Sequence, residues 1–293
     1  MVIARCVAAI AAVIKWPMTV NVKLDTNRAW QNAHAAILGN REALLAIAGV
    51  FFFLPSLAFA LLYPQPPAVQ GAMTPEQAMV FIEKFYRESF PFMLAVTVAQ
   101  IVGAMAILRL YAGTGRPTVG NAIGKGAVDT LAFFAAMILV WLAGSLAASL
   151  VVGLGVASGA QAVAGVAAAV AFAGLLYVSL RVILVMPIIA VEGLRKPVAA
   201  LQRSWALTRG NVGRIVLFLL LLLLAYAVIV GVVASLLGIV FALILGATGG
   251  KIAVAIVSSA LGAVFTLYLF TSLAAIHRQL AGPSRGELRS TFD

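Results

Sequence analysis

The sequence predicts an all-α, polytopic helical membrane protein: about six transmembrane helices in three hairpins, each preceded by a short cytoplasmic interfacial helix. Three observations carry this. Of the 293 residues, 63% are hydrophobic and only 10% charged, with a mean hydropathy of +1.10. A soluble domain carries roughly 25% charged residues, so this much apolar side chain needs lipid as its solvent. The charges also stand at the ends of long uncharged runs, inside 43–75, 129–181 and 214–251. Finally, the net charge is +11 and the basic residues fall almost wholly on one side of the spans.

Taken in chain order, residues 1–17 form an N-terminal extension, or a short interfacial helix. Arg5 is followed by an apolar run too short to span, and no small-x-small cleavage site follows it. Met18 reads as a natural start, and residues 18–293 as a single six-helix membrane domain. Span one covers about 44–63, kinked by Pro55 and ended by Pro64, Pro66 and Pro67. The stretch TPEQAMVFIEKFYRESF then predicts a short amphipathic surface helix, with Thr74 as N-cap and Gln77 completing a capping box. Span two covers about 91–111.

The uncharged run 129–181 is far longer than the roughly 20 residues one helix needs. Its Gly/Ser/Gln stretch at 153–161 divides it into span three, about 130–152, and span four, about 162–190. The run 214–251 would measure about 54 Å as one helix. Span five covers about 215–237, and the remainder either extends it with tilt or makes a short apolar excursion on the far side. Span six covers about 252–276. This arrangement puts every one of the 20 basic residues on the side of the termini except Lys84, Arg87 and Lys251. The positive-inside rule then makes both termini cytoplasmic. The charge needs no nucleic acid to explain it.

Three segments precede the hairpins and resemble one another. Each reads as a short helix, a glycine stop (Gly39, Gly126, Gly210) and a span, the glycines falling at nearly equal intervals. The third is the best defined. Pro197 suits a first helical turn, and Gly210 a left-handed C-cap. Leu194, Val198, Leu201 and Trp205 share one narrow face, with Arg195, Lys196 and Arg203 off it; Trp30, Ala33 and Ile37 repeat the pattern. An apolar stripe with Trp, flanked by basic residues, is how a helix lies among lipid headgroups.

The segment PIIAVEGLRKPVAALQRSWALTRGN, followed by a Leu-rich span, resembles the membrane domain found in some glycerophosphoryl diester phosphodiesterases and in related six-span bacterial inner-membrane proteins. Pro187, Glu192, Ala200-Leu201, Ser204-Trp205 and Arg209-Gly210 carry the likeness, which runs from about residue 20 to the C-terminus. It implies a polytopic module of a bacterial inner membrane that in some proteins is fused to a catalytic barrel. Such a barrel needs roughly 250 residues, and the membrane spans leave no room for one.

No chemistry is legible. The acids are Asp25, Glu42, Glu76, Glu83, Glu88, Asp129, Glu192, Glu287 and Asp293, with no pairing, HExxH, Walker A or GxSxG pattern among them. Cys6 is the only cysteine, and His34 and His277 read as membrane-interface residues. No catalytic residue, cofactor or metal is therefore assigned. The most unusual residue is Arg181, a charge within an apolar run. It either snorkels to the cytoplasmic interface or ties helices together through Glu192 or Asp129. Glu192 lies about three turns on along the same face, with Pro187 between them able to break the helix. Small residues at Ala227/Gly231/Ser235, Ala255/Ser259/Ala263 and Ser145/Ser149 either pack helices closely or only reflect an Ala-rich composition.

The expected function is a non-enzymatic integral membrane protein that engages anionic lipid, or a protein partner, through its basic cytoplasmic helices. Arg181, Glu192, Arg195, Lys196, Arg203, Trp205 and Arg209 are the candidate lipid- or partner-binding residues. The alternative is a transporter or flippase of a lipid or other amphiphile, with Arg181 on its headgroup; a hydrolase ranks third.

Overall fold

The computed structural model describes residues 22–63, 74–112 and 119–282. The N-terminal extension, Cys6, the hairpin exit at 115–118, Arg285 and Arg289 lie outside the described residues. Those described are helical throughout, with no strand among them. Among the described residues five helices are long and apolar enough to cross a membrane, and the chain is a multi-pass membrane protein.

Asp25 caps α1 (Thr26–Gly39), accepting a hydrogen bond from the Arg28 amide. The helix buries Ala29, Ala33 and Ile37 and packs along the C-terminal part of the chain, where Trp30 stacks on Tyr268 at 5.2 Å. After α2 (Arg41–Ala48), a π-turn at Gly49–Phe53 leads into α3 (Leu54–Leu62). Pro55 is the cause: it has no amide to donate to Phe51, and the wider turn absorbs its ring. The π-turn stands just before Pro55, where the sequence predicts a kink, and the helix stops at Leu62 with Tyr63 as its cap.

α4 (Pro75–Ala112) begins with the expected capping box. The Gln77 amide donates to Thr74 Oγ1 at 3.3 Å, and the Thr74 amide to Gln77 Oε1 at 3.2 Å. The surface helix and span two are nevertheless one helix, with Pro91 inside it. α5 (Val119–Ala157) is likewise unbroken, so the second interfacial helix does not exist as a separate element. Gly126 is a packing residue rather than a stop. A Cβ there would lie 3.1 Å from the Ala106 backbone, so α4 and α5 touch through it.

Gly159, at φ +71°, turns α5 into α6 (Gln161–Arg181) where the Gly/Ser stretch predicted a turn. The apolar segment Gln161–Glu192 is long enough for span four, but its helix is interrupted after Arg181. The helix ends at Arg181, a turn follows, and the chain resumes as α7 (Val185–Pro187) and a π-turn at Ile188–Glu192. The buried Leu184, Val185, Ile188, Ile189 and Ala190 make this segment the centre of the core rather than the end of a lipid-facing helix. α8 (Pro197–Thr208) follows, then the left-handed Gly210 and the long α9 (Val212–Ala281).

α9 has non-helical backbone at Gly246, with φ 77° and ψ 178°. Residues equidistant from this point meet: a Cβ on Gly238 would lie 2.5 Å from Val254, and one on Gly250 2.7 Å from Ala242. Tyr226 stacks on Phe265 at 4.3 Å between ring centroids. The two halves therefore fold back on each other, and the apolar remainder of span five extends its helix. Of the small-residue stripes, Ser259 and Ala263 are buried, whereas Ala227, Gly231 and Ser235 are exposed. Burial is concentrated at one end of the bundle. There Met105, Leu108, Leu184, Ile188, Ile215 and Ile276 form the core, while the far portions of α5, α6 and α9 expose rows of Leu, Val and Phe.

Candidate functional site

The site begins with the break after Arg181. Pro187 has no amide for the Ile183 carbonyl and its ring crowds that turn, so the helix stops a few residues upstream of it. α6 has 21 residues, about 31 Å at 1.5 Å each, which matches the hydrocarbon thickness of a bilayer. Arg181 stands at the end of α6, where the helix is interrupted within the candidate span Gln161–Glu192. Its backbone carbonyl, freed by the break, is satisfied from α8: Ser204 Oγ donates to it at 2.8 Å, and Thr208 Oγ1 lies 3.3 Å away. Ala200, Ser204, Leu207 and Thr208 are the buried face of α8. Val198 and Trp205, expected on an apolar stripe, lie on its exposed side.

The Arg181 side chain is only 4% exposed, yet no ion pair or hydrogen bond holds its guanidinium among the described residues, and its Nε is buried without an acceptor. Neither Glu192 nor Asp129 reaches it. Instead its guanidinium carbon lies 4.5 Å from the centroid of the Trp205 ring and 5.9 Å from that of Tyr177. Tyr177 is one turn earlier on α6 and meets Trp205 edge to face. Cation–π contacts of this kind contribute roughly 0.5–2 kcal/mol and leave the N–H donors free. The ring pair orients the cation without neutralising it.

Arg181, Tyr177, Trp205 and Arg209 line a groove of about 1300 Å³ between α5, α6 and α8. Its far wall is Leu139, Val140, Ala143, Gly144 and Ala147 of α5. Arg209, exposed just past the end of α8, is close enough for its charge to act on Arg181. No Asp or Glu lines the groove.

The other predicted site residues are placed differently. Glu192 does not share a face with Arg181, because the chain turns between them. It accepts hydrogen bonds from Arg203 Nε at 3.2 Å and pairs with His277 Nε2 at 2.9 Å. His277 is buried in the core. Arg195 donates from Nε to Asp129 Oδ1 at 2.9 Å, and Arg109 holds Oδ2 of the same fully buried carboxylate at 2.6 Å. Lys196 is exposed at the start of α8 and carries no ion pair among the described residues. The predicted set thus divides into a groove (Arg181, Trp205, Arg209), two internal locks (Arg195 on Asp129, Arg203 on Glu192) and the separate Lys196.

Sequence reasoning missed Tyr177, Arg109 and Asn211. Tyr177 was findable, being one helical turn before Arg181. The Asn211 Nδ2 donates to the Val22 carbonyl and its Oδ1 accepts from the Leu24 amide, both at 2.8 Å, which pins residues 22–24 across the turn into α9. A second, more polar cavity of about 810 Å³ lies beside that strap, lined in part by Lys23, Asp25, Arg28, Asn32, Arg278 and Gln279. Among the described residues no group of three His, Cys, Asp or Glu side chains could hold a metal ion.

Residues 159–280 match the family model for the membrane domain of glycerophosphoryl diester phosphodiesterase. The matched region runs from α6 through α9 and includes the break, α8 and the Gly246 fold-back. It is shorter than the extent expected from the sequence. No curated protein and no solved structure matches the chain.

Proposed function

We propose that this chain is a non-enzymatic, six-span module of a bacterial cytoplasmic membrane that engages anionic lipid at its cytoplasmic side. The fold-back at Gly246 supports six crossings, since it divides one of the five candidate helices into two. Both chain ends then lie on the cytoplasmic side. The packed core gathers at the same end as Lys23, Arg28, Arg109, Lys125, Arg181 and Arg214, and the positive-inside rule makes that end cytoplasmic. α1 and α8 lie at this end and carry the basic residues of the inner surface.

The observation that carries the lipid reading is the charge state of this surface. Arg195 and Arg203 are consumed by internal carboxylates. Among the described residues Arg181, Lys196 and Arg209 are not, and on this reading they stand where acyl chains give way to headgroups. A cation there gains roughly 1 kcal/mol near an anionic leaflet, and a protein that leaves several uncompensated is built to meet an anion.

The test is native mass spectrometry of the protein extracted in mild detergent from membranes of mixed lipid composition. Anionic phospholipid should be retained above its share of the membrane, and raised salt should strip it. Retention in proportion to membrane composition, insensitive to salt, would leave the basic residues as topology signals alone.

A further inference from the structure

The chemistry of the groove between α5, α6 and α8 specifies its ligand more closely than a basic surface does. We propose that it is a site for one phospholipid molecule, whose phosphate is held between Arg181 and Arg209 and whose acyl chain lies on the apolar α5 wall. The proposal rests on the lipid reading above and names the site and the chemical class.

Four features point to it. Arg181 is nine-tenths buried and unpartnered, with Nε facing no acceptor. Desolvating a guanidinium without a counter-charge is unfavourable, and a phosphate at its terminal N–H groups supplies that charge. Arg209 brings a second cation to the same cavity, so the groove lining holds two like charges and, among the described residues, no acid. A phosphate diester bridging two guanidinium groups turns that repulsion into two charge-assisted contacts.

The third feature is the pair of rings. Trp205 and Tyr177 hold Arg181 in place by its face, leaving its edge N–H groups to the ligand. Aromatic rings of this kind favour the headgroup level of a bilayer. The fourth is the opposite wall, where Leu139, Val140, Ala143 and Ala147 present only hydrocarbon. A free phosphate ion would leave that wall empty, whereas a phospholipid fills it.

The test places the intact protein in nanodiscs with Trp205 as its only fluorophore of that type, in a Trp16→Phe, Trp30→Phe, Trp141→Phe background. Phospholipids brominated near the top of the acyl chain are titrated in, with either phosphatidylglycerol or phosphatidylcholine headgroups. Half-maximal quenching should need less of the anionic lipid, by about fivefold for each contributing charge. Arg181→Gln and Arg209→Gln should each reduce that preference, and together abolish it. Arg181→Lys should keep part of it. Arg209 is exposed, so its variant reports even if Arg181→Gln folds poorly. Inorganic phosphate at millimolar concentration should not displace the lipid; displacement would make this a site for a free anion and overturn the proposal. Equal quenching by both lipids in the parent, or an anionic preference surviving in the double variant, would also overturn it. If anionic lipid is still retained selectively in mass spectrometry while Trp205 shows no preference, only the groove assignment fails. If neither is seen, the lipid reading fails with it.

Discussion

At the scale of single residues, the decisive distinction is between cations that have a carboxylate and cations that do not. Arg195 and Arg203 look from the sequence like headgroup readers, since both flank an apolar stripe on α8. Their partners are invisible there because Asp129 is brought to Arg195 by tertiary packing between α5 and the turn before α8. Among the described residues the same packing leaves Arg181 without an acid. The chain therefore showed which residue was unusual and not which neighbours it would have. Asp129 is the counterpart worth testing. It is fully buried, and its two arginines are 21% and 50% exposed. Asp129→Ala removes the only charge compensating them at that point. Loss of one partner of a fully buried pair costs about 3–5 kcal/mol. Because both arginines reach solvent, the expected loss here is on the order of 2 kcal/mol. Thermal unfolding in detergent should show it as a lowered midpoint, with Asp129→Glu milder. An unchanged midpoint would mean the carboxylate is not holding α4, α5 and the α8 turn together.

At the scale of elements, turns governed by backbone chemistry were legible and continuity was not. The Thr74/Gln77 box, the disturbed turn at Pro55, the turn near Gly159 and the Gly210 stop follow from local rules that no tertiary contact has to supply. Pro91 and Gly126 were read by the same rules as boundaries, and both lie inside unbroken helices. In lipid no water competes for the backbone, so a helix runs on through residues that would break it in solution. Gly126 is needed for close approach to α4, a role its sequence neighbours do not reveal. Gly246 is the opposite case, since nothing in its local sequence marks it off from the other glycines nearby. Its φ of 77° with an extended ψ is open only to glycine. A Cβ there would meet no atom within 4 Å, so Gly246→Ala isolates the conformational penalty, about 1–3 kcal/mol. Unfolding by increasing SDS in mixed micelles should shift to lower SDS in this variant. Gly231→Ala, also in open space but in helical backbone, should not shift it downward.

At the scale of the whole molecule, the protein is a packed basic end from which apolar hairpins project. Only 6% of the most apolar window of α5 is buried within the protein. The sequence showed this as composition: runs of Leu, Val and Ala with no helical periodicity of polar residues, because lipid makes no demand for a polar face. It could not show that the segment after Arg181 would turn inward and become the core. The architecture makes a definite claim about sides. If α9 crossed once, its 70 residues would reach about 105 Å as a straight helix, and its two ends would lie on opposite sides. If the fold-back returns across the bilayer as proposed, Ala247 lies across the membrane from both ends of α9. Single cysteines in a Cys6→Ser background test this in intact cells. Ala247→Cys and Ser158→Cys should react with an impermeant maleimide from outside, as should Gly71→Cys, which lies outside the described residues. Lys196→Cys, and Ser284→Cys beyond the described C-terminal helix, should react only after the membrane is opened. External labelling at residue 284 together with protection at residue 196 would require an odd number of crossings between them. That result would refute the hairpin at Gly246 as a return across the bilayer and remove the support for six spans.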